Sequence, residues 1–431
     1  MKAVRTMRKV FTVLLVLFPF LNQFGLPVSV PILTNHVSIG YLVVIPFALF
    51  VCLFKIPTEG LFRMKVYGFS GYFLFLLVVG VSAFLAQGKT FYSGNGKLFD
   101  VGLMVLFWLL VLYASRNVFD LRFGMKVYTG FAVVCALYFL LQFIVYRIGG
   151  FHLPTVFRES YVFGGSYVDA FRATGTPTSF FVSTDAFSLY CLPVVAYLLL
   201  WDRIGFNGRE FACALVLSAA LCLTEIVPVI VALLLIWGLF ILFIVVYLFA
   251  HPYDAIYRFQ HQNPSRIVLQ IVTPLVIVAG ASLLLMQNGR YLRLFSGIRK
   301  MICDPAVTSG FASAKSVGTH GGVVRLFGCG VGNVRNFLTA DKIKLPETMN
   351  SLGYVFLAVG IVGLLLYVGS LFVLLATRRG KFGLAMAALS LFAAVFGNIV
   401  FLDISVFWIM LAFSANDNEE MTFRKFLRLR K

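Results

Sequence analysis

The chain has 431 residues, of which 60% are hydrophobic and 12% charged, with a formal net charge of +19. A composition this apolar describes a membrane protein. The placement of the positive charge, set out below, excludes nucleic acid as its explanation. A span needs about 20 apolar residues to cross the roughly 30 Å hydrocarbon core. Stretches of that kind predict helices at about 10–32, 37–54, 66–87, 98–115, 124–146, 184–201, 210–224, 227–250, 267–286, 350–375, 382–397 and 400–414. The expected fold class is therefore an all-α integral membrane protein with about twelve spans in one polytopic domain over 1–431. Pro19, Asn22, Gln23 and Pro27 interrupt the first stretch and no small-residue cleavage site follows. It therefore reads as a span and not as a cleaved signal peptide.

With the N-terminus inside and the loops numbered alternately, 22 of the 36 Lys and Arg fall on inside segments, and every inside segment has some. This is the positive-inside pattern of a cytoplasmic membrane protein with both termini cytoplasmic. Two long loops then face outwards, at 147–183 and 287–349. The assignment depends most on whether 210–250 holds two spans. The tail at 415–431 ends in Arg-Lys-Phe-Leu-Arg-Leu-Arg-Lys and reads as a cytoplasmic anchor on anionic lipid. Seven cysteines show no metal spacing, and five lie in spans, where a thiol acts as a small hydrophobe. Cys303 and Cys329 share the second outer loop, where either a disulfide or two free thiols is chemically possible.

In the first outer loop, Arg172 precedes a turn set by Gly175 and Pro177, and Thr174, Thr176, Thr178 and Ser179 surround it. A helix then starts near Ser183 or Thr184, with Asp185 in its first turn. The expectation is a guanidinium and several hydroxyls at the outer boundary of the membrane. Arginine grips diphosphate oxygens in a fixed geometry, although Arg172 also fits a snorkelling side chain or a partner for Asp169. Arg158 lies upstream in an aromatic stretch of Phe157, Tyr161, Phe163 and Tyr167. Such rings suit an interfacial belt or sugar stacking.

The second outer loop carries nine Lys or Arg against three acids, Asp304, Asp341 and Glu347. Arg290, Arg293, Arg299 and Lys300 come first. The run Val324-Arg-Leu-Phe-Gly-Cys-Gly-Val-Gly-Asn333 follows, with Gly328, Gly330 and Gly332 alternating. Glycines at this density permit close backbone approach, and exposed N–H groups there would cradle an anion. No Lys-Ser or Lys-Thr follows, so this is not a nucleotide-binding loop. The segment Pro346-Glu-Thr-Met-Asn-Ser-Leu-Gly353 leads into a span that contains Gly360-Ile-Val-Gly363.

These residues resemble the bacterial polysaccharide polymerase and O-antigen ligase superfamily. The similarity lies in Gly-x-Gly-x-Gly-Asn, a polar cluster, and an apolar span with Gly-Ile-Val-Gly. An Arg ahead of a Gly-x-Pro turn in the first loop and Ser296-Gly-Ile-Arg299 in the second are similar too. The layout of spans and loops matches throughout. Ligases of this group usually have His before the Asn of the final cluster, where this chain has Met349. A common Ser-Arg pair is Glu225-Ile226 here, and Thr176-Pro177-Thr178 stands where polymerases often have Glu-Pro-Ser.

The resemblance implies a GT-C-like architecture and a Wzy-type polymerase of undecaprenyl-diphosphate-linked repeat units. The product would be O-antigen, capsule or exopolysaccharide. Under that reading Arg172, Arg325 and Arg299 hold the diphosphate, with Arg158 and Arg293 in support. Glu347, His320 and Asp169 are the candidate bases. No Asp-x-Asp or His pair at ligand spacing occurs in either outer loop, so metal-independent transfer without a cofactor is expected. The partners are the lipid-linked glycan, membrane lipid and a chain-length regulator. A ligase using the same donor is the nearest alternative. A transporter or flippase of lipid-linked sugar is another, and it calls for an inverted repeat and helix breaks at the midplane.

Overall fold

The computed structural model describes residues 2–23, 25–26, 37–53, 66–87, 96–153, 176–201, 208–250, 296, 322–340, 350–378, 380–397 and 403–415. Helices dominate them: α1 Lys2–Leu21, α2 Ile39–Leu53, α3 Val66–Leu85, α4 Gly96–Val118 and α5 Leu121–Gly149. Next come α6 Thr184–Leu200, α7 Gly208–Cys222, α8 Val227–Ala250, α9 Gly322–Phe327 and α10 Val334–Ala340. The last are α11 Ser351–Thr377, α12 Lys381–Phe396 and α13 Asp403–Ser414. One two-residue antiparallel ladder joins β1 (Gly25–Leu26) to β2 (Val37–Ser38), with Gly25 opposite Ser38.

Three helices, Leu121–Gly149, Val227–Val246 and Ser351–Thr377, are long and apolar enough to cross a membrane. The pattern on α5 shows what surrounds them. Met125, Tyr128, Ala132, Cys135, Phe139 and Gln142 are buried on one face. Val134, Leu137, Leu141 and Ile144 on the other face are at least half exposed. An exposed stripe of large aliphatic side chains is untenable in water and natural against lipid. Asp120 caps the start of α5 by accepting from the Phe123 amide at 3.1 Å, and Gly150 closes its other end with φ +66°.

Two ends of the bundle can be told apart by their contacts. At one, the tail end, the Arg378 guanidinium donates to the Ala415 carbonyl at 2.8 Å and ties the close of α11 to the close of α13. Lys381, at the start of α12, lies 5.8 Å from the Phe243 ring of α8. Lys9 lies 5.4 Å from the Phe123 ring, joining the starts of α1 and α5. At the other, the loop end, the Ser351 amide donates to the Gly397 carbonyl at 2.7 Å, and Asn350 Nδ2 donates to Val395 at 2.7 Å. Those two bonds join the start of α11 to the end of α12. α11, α12 and α13 therefore run in alternating directions. Lys9, Lys381 and Arg378, all expected inside, make these tail-end contacts.

One sequence expectation needs adjusting. The first helix stops at Leu21, well short of residue 32, and the chain turns at Asn22 and Gln23 into β1. Gln23, just past the helix, serves a distant backbone with its side chain, as described below. The segment 210–250 does hold two helices, joined at 223–226. They fold back as a hairpin in which Trp237 Nε1 donates to Ser218 Oγ at 3.1 Å and the Phe211 and Trp237 rings meet edge to face at 6.0 Å. Glu225 makes that turn with a left-handed backbone, φ +61°. The predicted span 267–286 lies outside the described residues.

α3 and α11 pack against each other along their lengths. Ser82 Oγ donates to the Ala358 carbonyl at 2.7 Å, and the Phe75 and Tyr367 rings lie 5.0 Å apart. The pairing is antiparallel, and small side chains line it, among them Gly71, Ser82, Ala83, Ala358 and Ser370. Such residues let helix backbones approach where no water drives association.

Candidate functional site at the loop end of the bundle

Two pieces of irregular backbone enter the bundle at its loop end. The first is 176–183, immediately ahead of α6. Ser179 takes a left-handed backbone, φ +56°. Its amide donates to Gln142 Oε1 at 2.8 Å and its hydroxyl donates to the Cys135 carbonyl at 2.6 Å. Cys135 stands at the middle of the 29-residue α5, so the turn reaches roughly 20 Å in from either end of that helix. The Val182 amide donates to Gln23 Oε1 at 2.7 Å. Phe180 stacks flat on Tyr138 at 4.5 Å. Ser183 Oγ accepts from the Ala186 amide at 3.1 Å and starts α6.

Irregular backbone at membrane depth persists only where protein groups satisfy it or where it lines a cavity. Gln142 and Gln23 do that here, each presenting an amide oxygen to a backbone N–H. Both were missed from sequence. The available signal was a polar amide set within an apolar helix, which is costly unless it is used. Thr178 and Ser179 were expected as hydroxyls at the membrane boundary. They are instead buried, and the Ser179 hydroxyl is committed to α5.

The second piece is 328–333. Gly328, Gly330 and Gly332 all have positive φ, between +75° and +85°. The Cys329 amide donates to the Leu357 carbonyl and the Gly330 amide to the Ala358 carbonyl, both at 2.9 Å. Those carbonyls are available because α11 is broken at Gly360, which has φ +74° and ψ −168°. The break lies about 14 Å along the helix from Ser351. Among the described helices, α11 alone contains a non-helical residue.

Close backbone approach, one of the two uses expected of the glycine run, is what the loop shows. The other use, an anion cradle, is contradicted for three of its amides. Gly328 N–H donates to Val324 at 2.8 Å, and Cys329 and Gly330 donate to α11. Cys329 is a buried free thiol, and Cys303 lies outside the described residues.

Arg325 is exposed in the last turn of α9, immediately before the glycine run. Arg335, on α10, is exposed as well. The remaining predicted residues, Arg172, Arg158, Asp169, Arg293, Arg299, His320 and Glu347, lie outside the described residues. Among the described residues, no three His, Cys, Asp or Glu side chains are grouped to hold a metal ion. The sequence matches no protein-family model and no curated protein sequence.

Proposed function

We propose that the chain is a membrane glycosyltransferase of the Wzy type. It would join repeat units carried on undecaprenyl diphosphate at the outer face of the bacterial cytoplasmic membrane, using about twelve spans. One observation carries the reading. The two sequence pieces on which the resemblance rests, Gly328-Cys-Gly-Val-Gly-Asn333 and Gly360-Ile-Val-Gly363, form a single backbone joint at the loop end.

In the reaction, an acceptor hydroxyl attacks the anomeric carbon of the growing glycan. The glycosyl–phosphate C–O bond breaks, and the lipid diphosphate leaves with the electron pair. Arg172, Arg325 and Arg299 offset the charge that develops there, with Arg158 and Arg293 nearby in sequence. Glu347, His320 or Asp169 takes the hydroxyl proton. The scheme uses no metal. The glycosyl–phosphate bond supplies the driving force, which suits a face without nucleotide sugars.

A chromosomal deletion tests the assignment. Loss of this enzyme leaves glycans one repeat unit long. Long chains stranded on the lipid carrier would mark a ligase instead. The break in α11 favours a second reading, a transporter of lipid-linked sugar, because discontinuous helices mark transporter sites. Deletion of a transporter would leave the repeat units facing the cytoplasm, where an external glycosidase cannot reach them in intact spheroplasts.

A further inference from the structure

We infer that the 328–330 turn is a strap that holds α11 in its broken form, and that α11 becomes continuous when the strap lifts. The inference rests on backbone geometry and does not depend on the proposed reaction. Sharp kinks in helices trace to proline, to glycine or serine pairs, to bulges, or to a group inserted into the hydrogen-bond ladder. The run Val355-Phe-Leu-Ala-Val-Gly-Ile-Val-Gly363 contains no proline. Glycine permits the break at 360 without requiring it. What occupies the ladder is the loop: Cys329 and Gly330 donate to Leu357 and Ala358. In a continuous helix those same carbonyls accept from Ile361 and Val362. Two N–H···O bonds would be exchanged for two, so both carbonyls keep a donor in either form. Undocking leaves neither carbonyl orphaned at membrane depth, which would otherwise forbid it.

At two positions the broken form admits only glycine. A Cβ at Gly360 would stand 2.6 Å from the Phe327 amide nitrogen, and one at Gly363 would stand 2.5 Å from Val359 Cβ. In a regular helix residues four apart make no such collision. Gly360→Ala and Gly363→Ala therefore each favour the continuous helix and lift the strap. Cys329 reports the outcome because it is itself part of the strap, is fully buried, and has a free thiol. Cys191, equally buried on α6, is an internal reference.

The test is labelling of the purified full chain in detergent with a water-soluble maleimide, read residue by residue by peptide mass spectrometry. In the unmodified protein Cys329 should label at least ten-fold faster than Cys191, by local opening. In each alanine variant the Cys329 rate should rise a further ten-fold while the Cys191 rate stays unchanged. Equal rates at the two cysteines in the unmodified chain would overturn the inference. So would folded variants with Cys329 protected as before. Failure of both variants to fold would overturn it too, since a separable strap leaves a viable bundle.

Discussion

Gly328 and Gly360 each occupy the space that the other's neighbours would deny to a side chain. A Cβ on Gly328 would lie 2.5 Å from the Ala358 carbonyl oxygen, and one on Gly360 would lie 2.5 Å from the Leu326 carbonyl carbon. Both have positive φ, +75° and +74°. The joint is therefore built from backbone against backbone. It fastens the 328–330 turn to α11, about 30 residues further along the chain.

Replacing Gly328 with alanine should lower stability by about 2 kcal/mol or more, from the left-handed backbone together with the collision. Gly369, inside α11 with open space around its Cα, is the control. Alanine there should be neutral or stabilising by up to about 1 kcal/mol. Thermal unfolding of both variants in detergent checks the contrast.

Ser82→Ala removes the hydroxyl that shares the Ala358 carbonyl with the Gly330 amide. The carbonyl keeps one donor, so the cost should be about 1 kcal/mol. The same unfolding assay should show a smaller shift than Gly328→Ala. A larger shift would mean that the serine, and not the glycine loop, holds the joint.

Gln142→Leu should cost more than Ser82→Ala, because it strands the buried Ser179 amide without an acceptor. The expected loss is about 1–3 kcal/mol. Gln142→Glu keeps an acceptor oxygen at that position and should recover part of it. Unfolding temperatures of the two variants separate the lost acceptor from lost packing.

Much of the fold was legible from apolar run length. Helices α3, α6, α8 and α12 begin within a few residues of the expected starts at 66, 184, 227 and 382. A long apolar segment has one way to satisfy its backbone in lipid, so its position is a local property. The break at Gly360 was not legible. The loop residues that bond to α11 there, Cys329 and Gly330, are distant in sequence, and no proline marks the place. Gln142 and Gln23 were overlooked for the same reason: the backbone groups they satisfy, on Ser179 and Val182, belong to another part of the chain. Glycine spacing did indicate close approach at 328–332. It did not reveal that the approach would be to a helix and not to an anion.

Arg172 leads into the turn that Gln142 and Gln23 anchor, and it is the first choice for the diphosphate. In cells making the polymer, with protein level held constant, Arg172→Ala should abolish long chains. Arg172→Lys should shorten them, since an ammonium lacks the bidentate fork. Gel profiles of surface glycan read this directly, and long chains on both variants would remove Arg172 from the site.

Polymerisation by the purified protein is the most direct test. The chain, reconstituted with a single defined repeat unit on undecaprenyl diphosphate, should yield a ladder of products differing by one repeat, with free lipid diphosphate released in step. A substrate recovered unchanged, or moved across the bilayer without elongation, would contradict the account.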